Sequence, residues 1–279
     1  MLIAGIGLLS GIFAVWGCLT SGAFAGVTWL WALPLGFVGS VLSLTIFALL
    51  FFLVAGLIID TSKPQLKDSR FYRGMLELYL PALQKVLRIR IDATGLDLVP
   101  PNGRFLLVCN HTHDSDPAIL MLTLRGRQLA FISKREVSGF FLVGKIMHKL
   151  MCQPINREND REALKTILKC IEIIKEDKAS VAVFPEGYIH EDKKLHRFRP
   201  GVFKVATKAK VPIVVCTMRG TADVLNRFMH LKPSTVDVRL LQVIQPEEYE
   251  GITTVELADR IYQMMAQDLG PELVSDDET

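Results

Sequence analysis

The sequence lacks charge over its first quarter. Residues 1–59 contain no Asp, Glu, Lys or Arg, and all 32 basic and 29 acidic residues lie from Asp60 onward. An uncharged stretch of this length is difficult to hide inside a soluble domain. The chain therefore divides into an apolar N-terminal quarter and a remainder with the composition of an ordinary soluble domain.

Paired cysteines are also lacking. The five cysteines are odd in number and scattered, and they include no Cys-x-x-Cys pair. This pattern argues against a disulfide framework or a zinc knuckle and fits a reducing compartment. We expect small buried thiols. The formal net charge of +3 favours no class of partner, and we expect no nucleic-acid partner.

Two stretches of the uncharged region are long enough to cross a bilayer. A spanning helix needs roughly 20 apolar residues, and we predict helices at about 2–19 and 35–59, with Pro34 opening the second. A secretory signal peptide would have a basic start and a shorter apolar core. We therefore predict a membrane anchor over residues 1–60, which either spans the bilayer or enters only one leaflet.

Positive charge follows the anchor, at Lys63, Lys67, Arg70 and Arg73. Basic residues beside a span mark the cytoplasmic side, so we expect the rest of the chain on the cytoplasmic side of the cytoplasmic membrane. Within residues 61–85, residues 70–85 have apolar side chains at helical spacing, interrupted by Pro81. They predict an amphipathic connector at the membrane surface, with a plain core-facing helix as the alternative.

Apolar periodicity in the remainder predicts strands that alternate with helices. The predicted strands are at 87–92, 105–109, 129–133, 180–184, 212–218 and 236–244. The predicted helices are at 118–124, 160–174, 203–210 and 255–269. We predict an α/β fold, a mixed sheet flanked by helices, over residues 86–270. The hydrophobic hairpin of two helices precedes it, and an acidic tail at 271–279 follows.

Reactive side chains follow two predicted strands at the points where open α/β sheets bind ligands. Asn110, His111 and Asp116 come after 105–109, and a tight turn ahead of a helix can bring the imidazole to the carboxylate. Asp116 would hold His111 with one oxygen and cap the helix with the other, although a helix cap alone is the alternative. Glu186 and Gly187 follow 180–184 in a rigid Pro-Glu-Gly turn.

Basic side chains form a third group near strand ends. They are Lys134, Arg135, Arg157, Arg197 and Arg199. The planar guanidinium group matches the geometry of phosphate oxygens. Solvation at the surface is the alternative for any one of them.

In this order the clusters resemble the glycerolipid acyltransferase family, which makes phosphatidic acid from lysophosphatidic acid. Asn110, His111 and Asp116 match its Asn-His-x4-Asp block, and residues 184–187 match its Phe-Pro-Glu-Gly block. The remaining matches are Lys134, Glu136, Gly144, Ile155-Asn156-Arg157, Phe198-Arg199-Pro200-Gly201 and Val211-Pro212-Ile213-Val214. The resemblance covers roughly residues 85–245.

The sequence departs from the family pattern at one place. The family continues its Phe-Pro-Glu-Gly block with Thr-Arg-Ser, and this chain has Tyr188-Ile189-His190 instead. The family's arginine there is associated with the acceptor phosphate. Its loss leaves the acceptor open, with Arg157, Arg197 or Arg199 as possible substitutes.

The resemblance implies acyl transfer from a thioester, acyl-ACP or acyl-CoA, to the free hydroxyl of a lysophospholipid, most simply lysophosphatidic acid. His111 would be the general base, oriented by Asp116, and the attack would be direct, with no enzyme nucleophile. Backbone amides at the start of the Asp116 helix or at Gly187 would stabilise the oxyanion. The implied substrate-binding residues are Asn110, Lys134, Arg157, Glu186, Gly187 and Arg199. No cofactor or metal is required, and the implied partners are membrane lipids and the thioester carrier.

Three alternatives remain at this stage. The acceptor could be glycerol 3-phosphate or a lyso-aminolipid. The run from His111 to Asp116, which contains His113 and Asp114, superficially resembles metal-dependent hydrolase sites. The altered third block is also compatible with a catalytically inert lipid-binding protein.

Overall fold

A computed structural model of the protein describes residues 1–276. It begins with two long apolar helices, α1 (Leu2–Thr20) and α2 (Trp29–Leu57). Both are long and apolar enough to cross a membrane, with mean hydropathies of 2.1 and 2.6. α2 begins earlier than the sequence predicts, because Trp31 and Ala32 already donate to the Thr28 carbonyl ahead of Pro34.

The two apolar helices pack as a hairpin through small side chains. Ser10, Ala14 and Cys18, each four residues apart, are the buried positions of α1. A Cβ at Gly36 of α2 would lie 3.6 Å from Ala14, so the helices approach closely there. Small residues at such spacing are typical of helix pairs in lipid.

A third helix, α3 (Arg70–Val86), lies along the last turns of α2. The hydroxyl of Tyr79 donates to the carbonyl of Ala48 at 2.6 Å, and that of Tyr72 to the carbonyl of Ala55 at 2.8 Å. Contrary to the sequence prediction, Pro81 does not interrupt α3. Proline removes the amide that would bind the carbonyl four residues earlier, and here Arg125 donates to that carbonyl, of Glu77, at 3.4 Å.

One of the four basic residues after the anchor is not a surface charge. Arg73 is 7% exposed and makes a bidentate ion pair with buried Asp68, at 2.6 and 2.8 Å. A neutralised, buried guanidinium cannot orient a membrane segment. Lys63, Lys67 and Arg70, which are exposed, remain as the positive charges beside α2.

Seven strands form one sheet in the order β1-β7-β6-β2-β5-β3-β4. Neighbouring strands are parallel except β6 and β7, so the predicted mixed sheet is confirmed. The strands are β1 (Ile89–Thr94), β2 (Leu106–Cys109), β3 (Leu129–Lys134), β4 (Gln153–Ile155), β5 (Ser180–Val183), β6 (Ile213–Arg219) and β7 (Ser234–Ile244). Only β4 was missed from the sequence, because three residues are too few to show a period.

Helices cover both faces of the sheet. They are α4 (Asp116–Thr123), α5 (Val143–Lys149), α6 (Asp160–Lys175), α7 (Lys204–Ala209), α8 (Val224–Met229) and α9 (Thr254–Leu269). α6, α7 and α9 contribute to one apolar core, and α2, α3, α4 and α5 to the other. The central strands are fully buried between them.

The predicted acidic tail lies partly within this fold. The amide of Ser275 donates to the carbonyl of Leu195 at 3.0 Å, and Val274 forms a parallel bridge with Leu195. Residues 277–279 lie outside the described residues.

Candidate active site

The carboxyl ends of β2 and β5, which are adjacent and parallel, bring the first two predicted clusters together. His111 follows β2 and Glu186 follows β5. His111 Nδ1 lies 2.9 Å from Asp116 Oδ2. The imidazole stacks on Phe184 with ring centroids 4.1 Å apart and planes at 14°. The ring is therefore held at one nitrogen and over one face.

Asp116 is completely buried and holds the loop that carries His111. Its Oδ2 atom also accepts from the amides of Thr112 and His113, at 2.8 and 3.0 Å. Its Oδ1 atom has no hydrogen-bond partner among the described residues. The expected helix cap is wrong, because Asp116 accepts only from residues that precede it and the capping position is Ser115.

With Nδ1 facing a carboxylate, the imidazole proton belongs on Nδ1, and Nε2 presents a lone pair. No described protein group is hydrogen-bonded to Nε2 of His111. The side chain is 15% exposed. An imidazole fixed in this tautomer, with its second nitrogen open to a ligand, is the arrangement of a general base.

Glu186 is buried beside this pair and supports it through the backbone. Its Oε1 atom accepts from the amide of His111 at 2.7 Å, and its Oε2 atom accepts from the amide of His196 at 3.0 Å. Burial raises the pKa of Glu186 to about 8, and the two amides offset only part of that effect. The carboxyl group thus connects the β2 and β5 loops.

Asn110 connects the first loop to β6. Its side-chain nitrogen donates to the carbonyl of Met218 at 2.9 Å, and its side-chain oxygen accepts from the Met218 amide at 2.7 Å. Thr112 adds a hydroxyl contact with Thr221 at 2.7 Å. The amide group of Asn110 is therefore committed to the backbone of a neighbouring strand.

Two amides predicted as oxyanion donors are already used within the protein. The Gly187 amide donates to the Phe184 carbonyl at 3.1 Å, and the Asp116 amide donates to the His113 carbonyl at 3.0 Å. Gly187 has a positive φ of 88°, so the turn that closes β5 favours glycine.

The altered third block brings two arginines to one aromatic ring. The guanidinium carbon of Arg157 lies 4.9 Å from the ring centroid of Tyr188, and that of Arg199 lies 5.0 Å from it. Neither arginine makes an ion pair within residues 1–276. Burial and the neighbouring Arg199 lower the pKa of Arg157, with burial the larger cause. Glu136 acts on this pKa in the opposite direction but is paired with Lys134. Two adjacent arginines that are not bonded to a carboxylate favour an anionic ligand here.

Arg199 is fixed to the Pro-Glu-Gly turn along its length. Its amide donates to the Pro185 carbonyl at 2.9 Å. A Cβ at Gly187 would lie 3.0 Å from its Nε atom, so the side chain runs over the glycine before it reaches Tyr188. Arg199 is thus attached to the same turn as Glu186, and Arg157 reaches it through the Tyr188 ring.

The other predicted basic residues lie elsewhere. Lys134, at the end of β3, is exposed and 3.5 Å from Glu136. Arg197 stacks over Tyr262 of α9 and lies 3.7 Å from Asp259. Of the three arginines considered as substitutes, the structure brings together only Arg157 and Arg199.

The cysteines do not offer a nucleophile. All five are buried and free, as predicted. Burial is the main cause that raises the pKa of the Cys109 thiol, and neighbouring Cys216 adds to it. Within the described part of the chain, no three His, Cys, Asp or Glu side chains are grouped to hold a metal ion.

Sequence reasoning missed two contributors to this site. Phe184 was noted only as part of a matching block, although it supplies the surface on which His111 stacks. Tyr188 was interpreted as the loss of a family residue, although it gathers two arginines. The sequence did contain a signal for this cluster: an aromatic residue that can bind cations, and arginines elsewhere in the chain that can stack on it.

The chain is similar in sequence to known acyltransferases. The family model described as Acyltransferase matches residues 90–219. A 1-acyl-sn-glycerol-3-phosphate acyltransferase of Chlamydomonas reinhardtii is 32% identical over 187 residues, which are 64% of this chain and 52% of that protein. This chain therefore spans about half the length of that relative.

A bacterial relative and a solved structure match over more of their length. The probable 1-acyl-sn-glycerol-3-phosphate acyltransferase of Mycoplasma genitalium is 27% identical, over 77% of this chain and 81% of that protein. The crystal structure of the 1-acyl-sn-glycerophosphate (LPA) acyltransferase of Thermotoga maritima superposes with a TM-score of 0.57. It is 20% identical and covers 80% of this chain and 87% of that one, which establishes a shared fold.

Proposed function

We propose that this chain, whose residues 90–219 match the Acyltransferase family model and which is similar to 1-acyl-sn-glycerol-3-phosphate acyltransferases, acylates the free hydroxyl of lysophosphatidic acid. The donor is the thioester of a fatty acid with acyl carrier protein or coenzyme A. The observation that carries the proposal is the 2.9 Å contact between His111 Nδ1 and Asp116 Oδ2, which leaves Nε2 open.

The reaction follows from this geometry. Nε2 of His111 takes the proton of the acceptor hydroxyl as its oxygen attacks the thioester carbonyl carbon. Asp116 stabilises the imidazolium that forms. When the tetrahedral intermediate collapses, the carbon–sulfur bond breaks and the thiolate takes the proton from Nε2. An ester and a free thiol result, with no group left on the enzyme.

Arg157 and Arg199 are the proposed site of the acceptor phosphate. Both guanidinium carbons lie within about 5 Å of the Tyr188 ring centroid, so they are within about 10 Å of each other. A phosphate monoester between them would gain charge-assisted hydrogen bonds. Two contacts support an anion site near His111: Arg199 is attached to the Glu186 turn, and the Glu186 carboxyl group accepts a hydrogen bond from the His111 amide.

The proposed location is the cytoplasmic membrane, with the catalytic domain on the cytoplasmic side. The length and hydropathy of α1 and α2 support membrane anchoring. Exposed Lys63, Lys67 and Arg70 directly after α2 support the orientation, because basic residues are retained on the cytoplasmic side. An acceptor in the bilayer and a water-soluble thioester would then meet at this surface.

The test uses the purified full chain in phospholipid vesicles with a matrix of acceptors and donors. Lysophosphatidic acid should yield phosphatidic acid with one thiol released per ester formed. Glycerol 3-phosphate and an uncharged monoacylglycerol are the matched controls, since one lacks the acyl chain and the other the phosphate. Preferred use of either control, or thiol release without an ester, would overturn the proposal.

A further inference from the structure

Apolar side chains of the α/β domain itself are exposed beside the end of the hairpin. Phe140 and Phe141, which precede α5, and Val143, its first residue, are 58%, 66% and 53% exposed. Single exposed apolar residues are ordinary on protein surfaces. A contiguous group that includes two phenylalanines is typical of an interaction surface. We call residues 140–143 the aromatic loop.

Two contacts fix the aromatic loop at the level of the last turn of α2. Leu142 packs directly on Gly56, where there is no room for even a Cβ atom. The side chain of Lys145 donates to the carbonyl of Leu57 at 2.8 Å. The loop therefore lies against the hairpin, and its two phenylalanines are exposed at that height.

The apolar surface of the hairpin continues to the same height. Val54 and Ile58 of the α2 end are 53% and 72% exposed, and the first charged residue along the chain is Asp60. Phe71 of α3 is 55% exposed, and its ring centroid lies 6.3 Å from that of Phe51. Exposed apolar side chains thus extend from α2 onto the domain without an intervening charge on α2.

Basic side chains border this surface. Lys145 and Lys149 project from α5, and Lys149 lies 3.1 Å from Gln65 in the segment after α2. Exposed Lys63 lies in the same segment. Lysines beside an apolar surface suit the boundary between acyl chains and anionic head groups.

We propose that the aromatic loop inserts into the lipid bilayer beside α2. The proposal rests on the membrane anchoring proposed above, and the bilayer is favoured as the occupant because the loop continues the apolar surface of the hairpin. α2 has 29 residues and a length of about 43 Å, against a hydrocarbon thickness of about 30 Å. At the usual tilt of about 20°, α2 extends about 41 Å along the bilayer normal, which fits the roughly 40–45 Å of a bilayer with its head groups, so the Gly56 end lies in the membrane interface.

Insertion of this loop would turn the carboxyl edge of the sheet toward the bilayer. The loop follows β3 after five intervening residues, and β3 lies beside β5, which carries Glu186 and Tyr188. A lipid acceptor could then reach the arginine pair from the membrane without leaving it for water. The loop would serve acceptor access, separately from the chemistry at His111.

Depth-dependent fluorescence quenching tests insertion directly. Because the five native cysteines are buried, an introduced surface cysteine can be labelled selectively with an environment-sensitive fluorophore. The test variant is F141C. The control is L168C in α6, which has 56% exposure and lies on the opposite face of the sheet. In vesicles with brominated acyl chains, the emission of the label at position 141 should shift to the blue and be quenched. The emission of the label at position 168 should not change.

Equal behaviour of the two labels would overturn the proposal, as would a label at 141 that stays in water while the protein remains in the vesicle. The latter result would indicate a protein partner for the loop. Quenching needs no catalytic activity, so it decides insertion even if the proposed reaction fails.

Activity gives the second measurement. The double substitution F140S/F141S should lower kcat/KM for long-chain lysophosphatidic acid in vesicles about tenfold, because two apolar anchors are lost. It should leave turnover of a short-chain acceptor dissolved in water unchanged. The matched control L164S/L168S should alter neither. Equal losses with the dissolved acceptor would contradict a role in access from the membrane.

Discussion

The two halves of the candidate site are held by different kinds of contact. In the buried half, His111, Asp116 and Glu186 are joined by hydrogen bonds of 2.7 to 3.0 Å, several of them to backbone amides. In the more exposed half, Arg157 and Arg199 are held by the Tyr188 ring, which is 40% exposed. Hydrogen bonds fix direction closely, whereas cation–π contacts tolerate changes of direction and are weaker.

This difference has a chemical consequence. A base must present one nitrogen to one proton, so the buried half permits few substitutions. An anion site needs only positive charge at the right distance, so different residues can supply it. The chain accordingly has the His111 and Glu186 blocks of the family that it resembles and differs from that family's pattern after Gly187.

The largest effect is expected for H111A. Loss of the proposed general base should lower kcat by about 10²–10⁴-fold. The thermal midpoint should fall as well, because the ring stacks on Phe184 and is hydrogen-bonded to buried Asp116. H113A is the matched control, because the His113 ring bonds to Ser115, 2.9 Å away, and not to Asp116. A comparable fall of kcat in both variants would mean that activity depends on the integrity of the loop and not on the His111 ring.

E186A should have the second-largest effect, and it should lower the stability of the fold as well as the rate. It leaves the buried amides of His111 and His196 without an acceptor, and each unsatisfied group costs about 1–3 kcal/mol. The thermal midpoint should fall together with kcat. E186Q retains one acceptor oxygen and should lie between E186A and the wild type. An unchanged midpoint in E186A would contradict the proposed support of the His111 loop.

Much of this arrangement was predictable from the sequence, for identifiable reasons. The strands before His111 and Glu186 are short apolar runs followed by polar residues, and parallel strands place such ends at one edge. The helix through Pro81 was not predictable, since the carbonyl of Glu77, which has no proline amide to bind, accepts from Arg125, 44 positions from Pro81 in the chain. The Tyr188 cluster was not predictable either, because side chains that meet only in the folded chain leave no periodicity.

The stability that the buried half contributes should depend on pH, because Glu186 lies in that half. The folded pKa of Glu186 is raised to about 8 from an ordinary 4.5. The folded state therefore holds the proton more tightly than the unfolded state does. Stability from this group is fully present below pH about 4.5 and is lost as the pH rises through about 8, by at most about 1.4 kcal/mol per pH unit.

The measurement is the thermal midpoint of the full chain in detergent between pH 5 and pH 9, for the wild type and E186Q. As the pH rises, the thermal midpoint of the wild type should fall relative to that of E186Q. R157K, which leaves Glu186 and its contacts in place, should follow the wild type. A constant difference would show that Glu186 does not titrate in this window.

The smallest effect is expected in the exposed half, for Y188L. Loss of the ring frees both guanidinium groups and should raise KM for lysophosphatidic acid several-fold to about tenfold, since each cation–π contact contributes about 0.5–1 kcal/mol at an exposed site. The kcat at saturating acceptor and the KM for the thioester should not change. Y188F keeps the ring and should behave as the wild type, and R197A, whose guanidinium lies over Tyr262, should do the same.

Equal KM values for Y188F and Y188L would mean that the hydroxyl, rather than the ring, governs acceptor binding. A fall in kcat without a change in KM would remove the distinction between the two halves.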